Sequence, residues 1–166
     1  MNVIQPTRFF CFPEDYAGAM HRFRDSESGP AHEFGLVLTN AMPDRVNWKT
    51  IADVPEISEV AGKPVDDNLP KEQSLDVTCI YQGYPKGGAK LIPVYLRSRP
   101  GSVAFAHRPV VFKAWEKPIG PYRAAVVYNR TNGKLIAFIA WPNAEEVIPK
   151  DHVSIEFSEN GIFNAD

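Results

Sequence analysis

Four side chains between positions 95 and 108 combine positive charge with an aromatic ring: Tyr95, Arg97, Arg99 and Arg108. Guanidinium groups make bidentate contacts with phosphate or carboxylate, and a tyrosine ring stacks on a base. The alanines nearby, Ala104 and Ala106, would let a backbone approach closely. This is the chemistry needed to hold a single-stranded nucleic acid or an acidic protein surface. Lys86 and Lys90 join the set as candidate binding residues, within the run Gly83-Tyr-Pro-Lys-Gly-Gly-Ala-Lys90. That run has the glycines and lysines of a phosphate-binding loop. It lacks the Lys-Ser/Thr pair after the last glycine and leads into a strand instead of a helix. It therefore reads as a flexible hairpin loop able to touch phosphate, not as a nucleotide cradle.

Catalytic chemistry has less to build on. His107 stands beside Arg108, and such a pair could cleave phosphodiesters by general acid–base catalysis, with His152 as the other histidine available. Strand alternation, however, turns His107 toward the core face, where a histidine satisfied by its surroundings is expected. His21, His32, His107 and His152 form no HxH or HExxH arrangement, and Cys11 and Cys79 lie far apart, so neither a metal site nor a cofactor is expected. The two cysteines read as reduced thiols.

The charge distribution singles out the same region. Positions 86–134 hold ten Lys or Arg and one acid, Glu116, whereas residues 1–85 net −6 and residues 135–166 net −5. The overall charge of −2 thus conceals a dipolar chain, which bears on partners and association. With 44% hydrophobic and 23% charged residues, 166 positions suffice for one domain with a real core. Fifteen prolines, roughly twice the usual share of about 5%, favour short elements and structured loops. No apolar stretch approaches the roughly 20 residues that span a bilayer. The N-terminal residues lack a basic and then apolar leader pattern. A cytoplasmic protein with no membrane association is expected; oligomeric state leaves no mark.

These residues need a scaffold. Residues 8–12 read as a short strand, 13–26 as a helix with Tyr16, Met20 and Phe23 at helical spacing, and 34–39 as a strand. Asn47 opens a short helix that Pro55 ends. Residues 61–74 read as a loop, the one place for an internal boundary in a single domain. Beyond it, strands are expected at 75–82, 91–99, 102–112, 122–129, 134–141 and 152–157, joined by short turns. The fold class expected is α+β: a mostly antiparallel meander of about five to seven strands with short N-terminal helices.

Two hairpins carry the detail. Placing Arg99 opposite Ser102 sets Arg97 against Ala104, Tyr95 against Ala106 and Pro93 against Arg108. Ile92, Val94, Leu96, Val103, Phe105 and Val111 then share an apolar face. Pro100-Gly101 suits a type II turn, so a bulge is expected there. The second hairpin turns at Thr131-Asn132-Gly133 and is apolar on both sides. Val126, Ile136 and Phe138 lie on one face, with Val127, Leu135 and Ile139 on the other, so it belongs in mid-sheet.

Three classes of function follow. The leading one is a non-enzymatic protein binding an anionic macromolecule through its basic strand face. The second is a protein inhibitor or immunity-type protein, presenting Asp66, Asp67, Glu72 and Asp76, or Glu145 and Glu146, to a basic partner. The third is a metal-independent nuclease or phosphodiesterase using His107 or His152.

Overall fold

The computed structural model describes residues 6–64 except 19, 24, 26 and 28, residues 79–156 except 100 and 101, and residues 163–165. At 17, 79, 93–99, 102–106 and 163–165 it describes the backbone alone. In chain order the elements are β1 (Thr7–Arg8), α1 (Cys11–Ala17), β2 (Phe34–Thr39), a 3-10 turn (Ile51–Asp53), β3 (Val60–Ala61), β4 (Cys79–Tyr84), β5 (Ala89–Lys90), β6 (Pro93–Arg99), β7 (Ser102–His107), β8 (Val110–Lys113), β9 (Ile119–Asn129), β10 (Leu135–Val147), β11 (His152–Ile155) and β12 (Phe163–Ala165). They form a five-stranded sheet ordered β1-β10-β9-β2-β5, a four-stranded sheet ordered β11-β8-β4-β3, and a three-stranded sheet ordered β12-β7-β6.

The two larger sheets pack face to face. Leu36 and Leu38 of β2, Val127 of β9 and Ile139 of β10 meet Tyr84 of β4, Val110 and Phe112 of β8 and Ile155 of β11 in one buried cluster. The five-stranded sheet also buries its outer face. There Val37, Val126, Tyr128, Leu135 and Phe138 are covered by Phe9, Trp48, Ile51 and Val54. This double coverage explains why every residue of β2 is buried and why β9 has almost no polar alternation. The strand-dominated architecture and its antiparallel main sheet agree with the sequence.

The helical share does not. In place of a three-turn helix over 13–26, α1 starts at Cys11 and ends before Gly18, whose N–H bonds the Glu14 carbonyl 2.9 Å away. Among the described residues of 20–32 no further helix or strand follows. The second helix is reduced to one 3-10 turn opened by Thr50, where the Asp53 carboxylate accepts the Lys49 and Thr50 N–H groups. The cover over the sheet is therefore mostly loop. Nor is the chain a pure meander, because β4 and β8 pair in parallel, with β5 to β7 between them in sequence.

Two registers also differ from expectation. The 102–112 strand breaks at Arg108-Pro109 into β7 and β8, which enter different sheets; proline has no N–H for a ladder. In the β6–β7 hairpin Arg99 faces Ser102 as expected, but a shift follows. Tyr95 then faces Phe105, Leu96 faces Ala104 and Pro93 faces His107, one position off throughout. The shift falls between Leu96 and Arg99, within β6 and short of the bulge expected at the turn, and one extra residue on one strand offsets all later pairs. Tyr95 is thus opposite Phe105, and Ala104 and Ala106 are opposite Leu96 and Val94, which mixes the expected apolar and basic sets. A second bulge lies between Leu135 and Ala137 in the β9–β10 hairpin. It places Leu135 with Val126 and Phe138 in the outer cluster and Ile136 with Val127 and Ile139 in the inner one, exchanging Leu135 and Ile136 relative to the simple alternation.

Candidate functional site

Lys86 and Lys90 lie on a corner between two sheets, not on a hairpin, since β4 belongs to the four-stranded sheet and β5 to the edge of the five-stranded one. The corner is pinned from within. Gly87 and Gly88 adopt φ of 85° and 70°, the left-handed region that favours glycine. A Cβ at Gly88 would meet the Leu36 carbonyl oxygen. The Glu56 carboxylate accepts the Gly87 N–H at 2.8 Å and the Tyr84 hydroxyl at 2.7 Å. The same hydroxyl accepts the Leu38 N–H at 3.0 Å, a donor just past the end of β5. Tyr128 donates its hydroxyl to the Gly87 carbonyl at 2.9 Å. Burial drives the Tyr84 phenol well above its ordinary pKa and raises that of Tyr128, so both stay protonated as donors.

Basic groups converge on this corner from separate segments. Lys90 faces Gly35 of β2, which in turn faces Tyr128 of β9. Because Gly35 has no side chain, the Arg130 stem and the Tyr128 ring occupy its place; a Cβ there would stand 2.9 Å from Arg130 Cδ and Tyr128 Cε1. The Arg130 N–H bonds the Glu33 carbonyl at 2.7 Å. The Lys90 ammonium lies 3.1 Å from Glu33 Oε1, with both side chains more than half exposed, so the pair contributes little to stability. Lys86 and Arg130 are exposed.

Arg108 is half-buried at the root of the β6–β7 hairpin, where its N–H bonds the Ile92 carbonyl at 3.0 Å. Its backbone is thus brought next to the chain leaving β5. Tyr95, Arg97 and Arg99 lie farther along β6, and their side chains fall outside the described residues. Arg130 is the member of this group that sequence reasoning missed, although a glycine inside the apolar 34–39 strand signals close approach of another group.

His107 and His152 stand apart in the fold. His107 is buried, and burial pushes its pKa down to about 4; its Nδ1 lies 2.6 Å from the Arg108 carbonyl. His152 is exposed and pairs with Lys113, at the opposite end of β8 from His107. Cys11 is a free thiol raised to about 11 by burial and by Asp15, which leaves it protonated at neutral pH. Among the described residues no three His, Cys, Asp or Glu side chains are placed to hold a metal ion. Also among these residues, no helix is long and apolar enough to cross a membrane. Of the acids expected to mark an inhibitor, Glu145 and Glu146 are exposed on β10, whereas Asp66, Asp67, Glu72 and Asp76 lie outside the described residues. Compared with known proteins, the chain matches no family model, no curated protein and no solved structure.

Proposed function

We propose that the protein is a non-enzymatic binder of an anionic macromolecule, a single-stranded nucleic acid in the first instance. It acts through a basic corner made of Lys86, Lys90, Arg108 and Arg130 and continued by Tyr95, Arg97 and Arg99 on the hairpin that leaves it. The observation that carries this reading is the convergence of Lys90 and Arg130, from opposite flanks of Gly35, beside one exposed acid. A rigid turn under Lys86 supports it, because a preorganised cation loses less freedom on binding. The test is a titration of single-stranded RNA, single-stranded DNA and duplex DNA at several salt concentrations. Changing Lys86, Lys90 and Arg130 to Gln together removes up to three phosphate contacts and flattens the log–log salt slope by about 2.1–2.7, at 0.7–0.9 per contact. Saturable binding with an unchanged slope would refute the corner as the site.

One observation favours a second reading. Residues 142–146 are all exposed, ending in the adjacent acids Glu145 and Glu146, and Ile148 beyond them is 60% exposed. An acidic ledge with an apolar neighbour suits an inhibitor that docks on a basic enzyme. Binding to a basic protein that is lost in Glu145→Gln/Glu146→Gln, with no nucleic acid bound, would favour this class over the first.

A further inference from the structure

Asn129 is fully buried where β9 ends, and it ties together two histidines that are distant in sequence. Its Oδ1 accepts the Thr131 N–H at 2.9 Å and the Asn132 N–H at 3.4 Å, which fixes the amide's orientation. Its Nδ2 therefore faces the rings, 2.9 Å from His32 Nδ1 and 3.3 Å from His21 Nδ1. An amide nitrogen only donates, through two hydrogens that are shared among His32 Nδ1, His21 Nδ1 and the Met20 carbonyl, and the shortest contact makes His32 Nδ1 an unprotonated acceptor. His32 Nδ1 accepts the Arg22 N–H as well, at 3.2 Å, and the His32 N–H returns to the Arg22 carbonyl at 2.7 Å. The Met20 carbonyl accepts from both Asn129 and Asn132. Met20, His21 and His32 are thereby held on the β9–β10 turn.

We propose that Asn129, His21 and His32 form an acid-opened clasp that releases the stretches Met20 to Phe23 and Ala31 to His32 from the β9–β10 turn. A proton on either Nδ1 would set donor against donor across Asn129. Asp25, an acid within the segment, is engaged by the Ala31 N–H at 2.8 Å. Lys134, from the turn strand, and Arg22, from the segment itself, both add positive charge nearby. Asp15 of α1 lies 4.0 Å from the Lys134 ammonium. His21 sits between the rings of Phe12 and Phe23, at 5.4 and 6.0 Å between centroids, and its Nε2 is buried with no partner. Burial, then the neighbouring His32 and Lys134, hold His21 down to about 4. Burial and Arg22 lower the His32 pKa, against the Met20 carbonyl, which raises it. Opening would also carry away Phe23, which stacks on Phe34 at 4.8 Å, and so uncover an edge of the main core.

The test is amide hydrogen exchange of Ala31 and His32 between pH 7.5 and 4.5, corrected for the intrinsic pH dependence of exchange. With ring pKa values of about 6.5 when open, two protons taken up on opening raise the opening constant by up to about 100-fold per pH unit below that value, and one proton by about 10-fold. A rise of at least 10-fold per unit at Ala31 and His32, with β9 amides unaffected, is expected. The double variant His21→Asn/His32→Asn keeps an acceptor oxygen near each Nδ1 position but cannot titrate, so its rise should vanish. Asn129→Asp keeps the two turn bonds and replaces the donor with an acceptor, so acid should tighten this clasp instead of opening it. A flat profile in the native chain, an unchanged rise in the double variant, or identical exchange at β9 and His32 would each overturn the clasp.

Discussion

Replacing Tyr84 with Phe isolates the strain-free core of the basic corner, because it removes one oxygen and no charge. Tyr84 is fully buried, and its hydroxyl satisfies the Leu38 N–H while donating to Glu56 Oε1. Without it the Leu38 donor has no acceptor, since β5 is too short to reach it; a buried unpaired group costs about 1–3 kcal/mol. The bond to the Glu56 carboxylate is a charge-assisted one worth about 1.5–3 kcal/mol, but Glu56 keeps the Gly87 N–H, and the two losses belong to one network and do not add fully. The expected loss is about 2–4 kcal/mol, read from urea denaturation as a lower midpoint at unchanged slope. Tyr81→Phe is the internal control: its hydroxyl bonds the Lys90 backbone at an exposed edge, where the loss should stay below about 1 kcal/mol. Tyr84→Phe should also weaken nucleic-acid binding without changing the salt slope, because it loosens Gly87 and leaves every cation in place. A stability loss below about 0.5 kcal/mol, or one equal to that of Tyr81→Phe, would refute the view that Tyr84 and Glu56 brace the corner.

Gly88→Ala should cost at least about 1–2 kcal/mol from its left-handed backbone alone, and more from contact with the Leu36 carbonyl, measured by the same denaturation. Phe112→Ala, in the centre of the inter-sheet core, should cost about 3–5 kcal/mol; a value near 1 would mean that the sheets close over the cavity. His107 is held neutral by burial, with a pKa near 4 against about 6.5 when unfolded, so its stabilisation is complete above pH 6.5 and is lost as pH falls toward 4. His107→Gln should flatten the fall in stability over that window, and an unchanged profile would show that His107 titrates normally. Lys90→Gln should change stability by less than about 1 kcal/mol, since its partner Glu33 is exposed, while still weakening anion binding.

The parts legible in the sequence were those in which one residue pattern decides the outcome. Residues 34–39, with Phe34, Leu36, Val37 and Leu38, form β2 at the expected limits, and the Thr131-Asn132-Gly133 turn with its two-sided hairpin lies at the sheet centre. What stayed hidden depended on pairing between distant segments. Leu135 and Ile136 exchanged faces because a bulge adds a residue that alternation cannot show. Tyr16, Met20 and Phe23 have helical spacing, yet only Tyr16 is in α1, because the chain beyond Gly18 is drawn onto Asn129. The corner at Lys86 read as a hairpin because nothing local reveals that β4 and β5 join different sheets. Arg130 stayed outside the expected site because its position depends on Gly35, nearly a hundred residues away in sequence.

The bond between the Arg108 N–H and the Ile92 carbonyl has a wider consequence. It brings the two feet of the β6–β7 arm together, and that arm with β12 pairs with no strand of the sandwich among the described residues. An arm whose ends already meet is exchangeable: lengthening it adds only about 0.6 kcal/mol of closure entropy per doubling. Trimming it to a tight turn should leave the sandwich folded. The frame and the length of the arm can therefore diverge independently, so that selection or design could rebuild the arm while the two packed sheets stay unchanged.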